Sequence, residues 1–337
     1  MRILVTGAAG QLGTDVMAEL KKREQALNED KTDEPSPCHE EICRDKTDEQ
    51  SPCHEEICRD KTDEPSPCHE EICRDKTDES SPCHGIDVAE LDITDGDAVR
   101  AYLTEYKPQC VIHCAAYTAV DKAEDEPELC YKVNAEGTEN LAKACREIDA
   151  EMIYISTDYV FDGKGDKPYE TDAVKAPAST YGKSKLAGEE AVTRRLERFY
   201  IVRISWVFGK NGNNFVKTML KLAQTKDEIN VVNDQVGSPT YTPDLAVLLC
   251  NMALSGKYGT YHATNEGFCS WADFAKEIMH QSKSVCKINP IPTEQYPTKA
   301  TRPKNSRLSK KSLVKAGFSR LPSWQNALER YLVDCSI

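Results

Sequence analysis

The chain opens on a short apolar run of β-formers, Arg2-Ile3-Leu4-Val5-Thr6, and changes period at Gly7. After the glycine-rich stretch Gly7-Ala8-Ala9-Gly10-Gln11-Leu12-Gly13, Leu12, Val16 and Leu20 recur at helical spacing, which predicts a strand, a tight turn and an amphipathic helix ending near Arg23. Residues 31–84 have no such period. Beyond them the alternation resumes with Leu91-Asp92-Ile93, a helix over about 97–106, and a buried strand Cys110-Val111-Ile112-His113-Cys114. A strand Met152-Ile153-Tyr154-Ile155 and a helix starting near Tyr181 follow. Strands separated by helical stretches predict an α/β fold with a parallel, doubly wound sheet. From about residue 209 the pattern mixes short helices (215–224, 243–253, 271–281) with a proline-rich extended connection over 288–301, as expected of a smaller C-terminal α/β domain.

The unpatterned segment is a tandem repeat. A fifteen-residue unit, Lys-Thr-Asp-Glu-Pro-Ser-Pro-Cys-His-Glu-Glu-Ile-Cys-Arg-Asp, begins at Lys31, recurs at Lys46 with Gln50 in place of the first proline and again unchanged at Lys61, and a partial copy closes the tract at His84. With five acids and two bases per full unit, the tract supplies −10 of the chain's net charge of −13, so the acidity belongs to the insert. It also holds seven of the fifteen cysteines. One isoleucine per full unit cannot offset the entropy of ordering the rest, so a disordered acidic loop is expected. Thiolate and imidazole at Cys38, His39 and Cys43 would suit zinc, but the Cys-x4-Cys spacing is loose, so no metal is assigned. A disulfide framework is not expected, because the start of the chain has no export signal. The absence of any apolar run of roughly 20 residues argues against a membrane span. A cytoplasmic protein is the expectation.

Strand, glycine turn and helix in that order suit the pyrophosphate of a dinucleotide: the glycines allow close backbone approach, and the helix start offers free N–H groups. The predicted architecture is therefore a Rossmann-type domain over 1–208, interrupted by the repeat insert at 31–84, with 209–337 as the second domain. The Gly-x-x-Gly-x-x-Gly spacing resembles that of the short-chain dehydrogenase/reductase superfamily. By that resemblance an acid at the end of the second strand holds the adenosine ribose, and Asp87 is the candidate. Its charge favours a free ribose hydroxyl over a 2′-phosphate, though such sites often accept both NADH and NADPH. His113, Cys110 and Cys114 read as packed core residues.

The chemistry sits further along. Tyr181 and Lys185 are i,i+4 neighbours on one helical face. A phenol titrates near pH 10, and a nearby ammonium is expected to bring Tyr181 towards the working range. Thr157, at the carboxyl end of a strand, can hydrogen-bond the same substrate oxygen. In Ser156-Thr157-Asp158-Tyr159 no glutamate follows the aspartate, so the second acid/base pair that a sugar-nucleotide dehydratase needs is missing. One proton donor and one hydride donor suffice to reduce a ketone. Between residues 287 and 320 there are nine bases against one acid. Without interleaved aromatics this is no nucleic-acid module, and an anionic diphosphate gripped by Arg302 and Arg307 explains it better.

These motifs, with Ala119-Val120-Asp121-Lys122-Ala123-Glu124, Arg203-Ile204-Ser205-Trp206-Val207, Asn233-Asp234-Gln235-Val236-Gly237-Ser238-Pro239-Thr240 and Arg302-Pro303-Lys304-Asn305-Ser306-Arg307-Leu308, resemble the dTDP-4-dehydrorhamnose reductase family over essentially everything outside the repeats. The resemblance implies Tyr181 as proton donor, Lys185 on the nicotinamide ribose, and Thr157 completing the site. It places Gly7, Gly10, Gln11, Leu12, Gly13, Asp92, Ile93, Ala116, Tyr117 and Thr118 around the cofactor, and Thr157, Asp158 and Trp206 on the sugar nucleotide. It implies an NAD(P)H-dependent reduction giving dTDP-L-rhamnose, and it allows a homodimer and magnesium. Two alternatives stay open: reduction of another nucleotide-linked 4-ketosugar, and a non-catalytic role like that of the NADP-binding regulatory subunit of methionine adenosyltransferase, which shares a related fold.

Overall fold

The computed structural model describes residues 1–32 and 82–336. Residues 1–23 and 82–337 make one compact unit; of the second, residues 24–81, the described part is the helical stretch as far as Thr32. The loop and metal readings of the repeat fall on residues outside those described, except at the two ends of the tract.

The chain builds β1 (Ile3–Thr6), α1 (Gln11–Thr32), β2 (Cys83–Ile86), α2 (Gly96–Tyr106) and β3 (Cys110–His113). Then come α3 (Pro127–Tyr131), a π-helical turn Lys132–Gly137, α4 (Thr138–Glu147), β4 (Glu151–Thr157), α5 (Thr180–Arg195) and β5 (Phe199–Ile204). A later strand, Gly259–His262, joins the same sheet beside β5. The six strands run parallel in the order Gly259–His262, β5, β4, β3, β1, β2.

Two expected boundaries move. The first helix runs to Thr32, because nothing between Arg23 and that point breaks a helix. The final partial repeat ends inside the sheet: Cys83 and His84 pair with Ile3 and Leu4 as the first half of β2. Thus the last residues copied from the repeat unit serve as a buried strand, and the insert stops short of the predicted residue 84.

Alternation along each strand feeds two separate layers. Ile3, Val5, Ile112, Ile153 and Val202 face Leu12, Val16 and Leu20 of α1 and Leu245, Leu249 and Met252 of the helix Thr242–Ala253. Leu4, Val111, Met152, Tyr154 and Ile201 face Val99 and Leu103 of α2, Leu141 and Cys145 of α4, and Val192 of α5. Helices on both faces of a parallel sheet make the doubly wound fold expected from the sequence. A further core collects Phe208, Val216, Ile229, Val231, Tyr241, Phe274, Ile278, Trp324 and Leu328, all from the C-terminal part of the chain.

Topology places the site. From β1 the chain moves outward to β2 and then returns to β3 on the other side, leaving a crevice at the carboxyl ends of β1 and β3, where ligands of such sheets bind. Ser179 caps α5 by accepting a hydrogen bond from the Gly182 N–H at 3.1 Å, which sets Tyr181 in the first turn. Gly188 lets α5 lie against β4: a Cβ there would overlap the Tyr154 hydroxyl and come within 2.6 Å of the Asn134 carbonyl oxygen. Gly188→Ala should therefore destabilise the fold by about 1–3 kcal/mol through overpacking. A lowered melting temperature checks this.

Candidate functional site

A cleft of about 820 Å³ opens at the carboxyl ends of the strands. Its first wall is the glycine turn. Gly7 has φ +68°, and a Cβ there would stand 2.7 Å from the Ala115 backbone nitrogen, so only glycine fits between β1 and the chain leaving β3. Gly10 closes the turn, donating its N–H to the Gly7 carbonyl at 3.0 Å, and lines the cleft with Gln11 and Leu12. Gly13 does not line it. Its missing Cβ is what lets α1 approach the Gly7 carbonyl, so its contribution is to packing. Asp87 directly follows β2 and lines the same wall, and its carboxylate accepts the Ala9 N–H at 2.5 Å. Asp92 and Ile93 lie beyond it, and Ala116, Tyr117 and Thr118 form the floor. Asn134, in the π-helical turn, clamps that floor: it accepts the Tyr117 N–H at 2.8 Å and donates to the Tyr117 carbonyl at 3.0 Å and to Ser184 of α5 at 3.0 Å.

The opposite wall carries Thr157, Asp158, Tyr181 and Lys185, so the proposed chemical groups and the glycine turn share one cavity. Lys185 is only 3% exposed, with its Nζ over the Tyr154 ring, 4.1 Å from the centroid. Burial pulls this amine down to about 7, against the influence of the Glu189 carboxylate. Burial likewise pushes the Tyr181 phenol above its ordinary range, with the Thr157 side chain opposing. The Tyr181 phenol thus lies above its ordinary range, the reverse of the expected acidification by Lys185, because desolvation penalises the charged form of both groups. The Thr157 hydroxyl donates to Asp158 at 3.0 Å, and the other Asp158 oxygen accepts from Ser306. His113 is core, as expected: it bonds Thr6 at 2.7 Å and Thr138 at 3.1 Å and is driven down to about 3 by burial. Cys114 differs from the expectation, because it lies past the end of β3 and lines the cleft.

A second cavity of about 710 Å³ shares Tyr159 and Trp206 with the first. Trp206 has φ +51°, a strained backbone for a bulky residue, held by Thr240, whose N–H donates to the Trp206 carbonyl at 3.1 Å. Its indole stacks on Trp271, with ring centroids 3.7 Å apart. Arg302 reaches this cavity but is engaged: it donates to the Tyr159 hydroxyl at 3.1 Å and pairs with Asp121. Arg307 lines neither cavity, and its guanidinium is turned onto the Asn305 side chain at 2.9 Å. Among the described residues no group of three or more His, Cys, Asp or Glu side chains could hold a metal ion, and no helix is long and apolar enough to cross a membrane.

Comparison with known proteins follows the same outline. The family model described as the RmlD substrate binding domain matches residues 69–337. The chain belongs to this family. The Bacillus subtilis spore coat polysaccharide biosynthesis protein SpsK is 44% identical over 246 residues, covering 73% of this chain and 86% of that protein. The crystal structure of a dTDP-4-dehydrorhamnose reductase from Clostridium acetobutylicum superposes with a TM-score of 0.80 at 37% identity, covering 100% of both chains. The dTDP-4-dehydrorhamnose reductase of Bacillus anthracis, solved in complex with NADP, gives 0.78 at 37% identity and 99% coverage of both.

Several residues of this RmlD-family site were not foreseen: Asn134, Cys114, Asp121 as the partner of Arg302, and Glu189 behind Lys185. Arg203 gave a signal, since a charged residue inside the apolar run Tyr200-Ile201-Val202-Arg203-Ile204 requires a buried partner. Asp158 has a measurable consequence. It is 2% exposed, and burial raises its carboxyl from 3.8 to about 6. The folded chain then holds this proton where the unfolded chain has lost it, so stability falls as pH rises from about 4 to about 6, by about 3 kcal/mol for this group. Asp158→Asn should remove that component, melting above the wild type at neutral pH and converging with it in acid.

Proposed function

We propose that this chain is a dTDP-4-dehydrorhamnose reductase, reducing dTDP-4-dehydro-L-rhamnose to dTDP-L-rhamnose with NAD(P)H in the supply of an activated sugar for polysaccharide. The observation that carries the reading is the meeting of Tyr181, Lys185 and Thr157 with the Gly7–Gly10 turn in one cleft that adjoins a second cavity. The cofactor fits what is there: a turn closed to side chains at Gly7, a helix start with unspent N–H groups, and a small-residue floor at Ala115 and Ala116.

A bound reduced nicotinamide supplies the hydride to the ketone carbon. The protein's own part is to hold the ketone oxygen and protonate it. Tyr181, kept neutral by burial, is in the right form to donate its proton as charge develops on that oxygen. Thr157 fixes the oxygen's position by a second hydrogen bond. Lys185 in its charged form then stabilises the phenolate left on Tyr181, so its charge matters most after proton transfer. Asp158 and Trp206 border both the hexose position and, through Ser306 and Tyr159, the second cavity, which takes the nucleotide end of the substrate. Arg302 can serve the diphosphate only by exchanging Asp121 for phosphate oxygens. Arg307 steadies the loop through Asn305 and, in this reading, does not touch the substrate.

Residues up to about 208 provide the cofactor side, and those after it most of the substrate side, with Gly259–His262 returning to the first sheet. A cytoplasmic enzyme, with a homodimer as an allowed state, agrees with dependence on NAD(P)H and a nucleotide-activated sugar.

Tyr181→Phe should lower NADPH oxidation with dTDP-4-dehydrorhamnose by about 10²–10⁴-fold while leaving cofactor binding within a few-fold. Retained turnover would remove Tyr181 as the donor. Asp87→Asn should weaken NADH through the loss of a ribose-facing charge and raise the NADPH/NADH ratio of kcat/KM by about tenfold, or about 1.4 kcal/mol. An unchanged ratio would show that Asp87 serves only to cap Ala9.

A further inference from the structure

Behind the catalytic helix lies a charged pair to which neither the resemblance nor the mechanism above gives a role. Glu189 of α5 and Arg203 of β5 form a two-bond ion pair, both contacts at 2.8 Å, with side chains 3% and 2% exposed. The same Glu189 Oε1 accepts the Ser156 hydroxyl at 2.6 Å, so the carboxylate is also fastened to the end of β4 beside Thr157. Arg203 is fixed on its far side by the Thr171 carbonyl at 2.9 Å, His262 at 3.3 Å and the Phe161 ring. A buried pair of this kind contributes little net stability over an apolar pair of similar volume, and its retention calls for another role.

We infer that the Glu189–Arg203 pair is a positioning device for Lys185, presenting a fixed carboxylate one helical turn beyond the amine and locking α5 against the end of β4. This rests on the reading of Lys185 given above. The other titratable groups around Lys185 are thiols, phenols and an imidazole. Cys114, beyond β3, is pushed up to about 12 and so is a neutral thiol. Cys130 of α3 is likewise raised. His113 of β3 is driven down to about 3 and is neutral. Tyr154 of β4, buried, and Tyr181 of α5, half-buried on the cleft, are phenols held above their usual range by desolvation. Against the desolvation that drives Lys185 towards its neutral form, Glu189 is the first opposing influence. Arg203 holds that carboxylate in place by two hydrogen bonds at 2.8 Å and is itself fixed by Phe161, Thr171 and His262.

The test separates position from stability. Glu189→Leu/Arg203→Met replaces the pair with apolar side chains of similar volume and is expected to fold. Competitive acetylation of the full-length chain across a pH series, read on the Lys185 peptide by mass spectrometry, gives the amine's midpoint without any turnover. In the double variant that midpoint should fall by about one pH unit, with surface Lys257 unchanged as the control. The alkaline limb of kcat/KM should move down by the same interval, because an amine needed in its charged form is lost earlier as pH rises. Where the double variant does not fold, Glu189→Gln, which keeps the shape and removes the charge, is read in the same way. A folded variant whose Lys185 midpoint matches the wild type overturns the proposal and leaves the pair a structural tie. A wild-type chain that does not reduce the ketosugar would instead overturn the functional reading, and the acetylation result would still stand on its own.

Discussion

Desolvation is the constraint around which this site is arranged. At the carboxyl ends of β4 and β5 and along the face of α5 packed on them, Asp158, Lys185, Glu189 and Arg203 are buried and Tyr181 is half-buried. Each charged form there loses water that the protein must replace. For Glu189 and Arg203 the replacement is mutual and nearly complete. Asp158 receives two hydroxyl donors, Thr157 and Ser306, and its carboxyl still rises to about 6. Lys185 receives an aromatic face and a carboxylate one turn away, and falls to about 7. The phenol is held neutral. A neutral phenol next to an amine that is easily neutralised is a poised arrangement, and it arises because desolvation opposes the charged form of both groups.

Backbone proximity is the second requirement, and glycines meet it at three places. Gly7 and Gly13 bring β1, α1 and the chain after β3 together at the glycine turn, and Gly188 brings α5 down on β4 so that the Tyr154 ring lies under Lys185. The two walls are then tied to each other. Asn134 holds the Tyr117 backbone on one side and Ser184 on the other. Gln11 donates to the Val207 carbonyl at 3.4 Å and accepts from Asn214 at 3.1 Å, linking the glycine turn to the C-terminal part of the chain. Such ties let a cleft made of loop ends keep the geometry of the strands that carry it.

What could be read from the sequence was local. Period and punctuation marked β1, the glycine turn, α2, β3, β4 and three helices of the C-terminal part within a few residues, but not the helices Lys311–Lys315 and Trp324–Asp334, and the i,i+4 spacing of Tyr181 and Lys185 placed them on one helical face. What could not be read depends on distant partners. The spacing shows Arg302 as a free basic residue, yet its guanidinium is committed to Asp121 and Tyr159, far away in the chain. A phenol with an ammonium one turn away reads as acidified, but the effect of burial is set by β4 packing from outside the motif. The repeat tract misled at its end for a related reason. Cys83 and His84 copy the repeat unit, yet their pairing with Ile3 and Leu4 makes them strand, because sheet position overrides local pattern.

That last point bears on how an acidic tract can interrupt such an enzyme. The described chain leaves along α1 and re-enters at Pro82, at the amino end of β2, whereas Asp87 at the carboxyl end of β2 lines the cleft. The Ile3 N–H donates to the Pro82 carbonyl at 2.8 Å, so pairing with β1 begins at the first described residue of the final partial repeat. From there β2 needs only four residues to carry the chain from its re-entry to Asp87. Strand register therefore decides where Asp87 lies, and register is set by β1 through backbone hydrogen bonds and by the burial of Cys83 and Ile86. A helix-to-strand connection in a parallel sheet can lengthen at modest entropic cost. The acid at the far end of the strand keeps its place as long as those four residues keep their pairing.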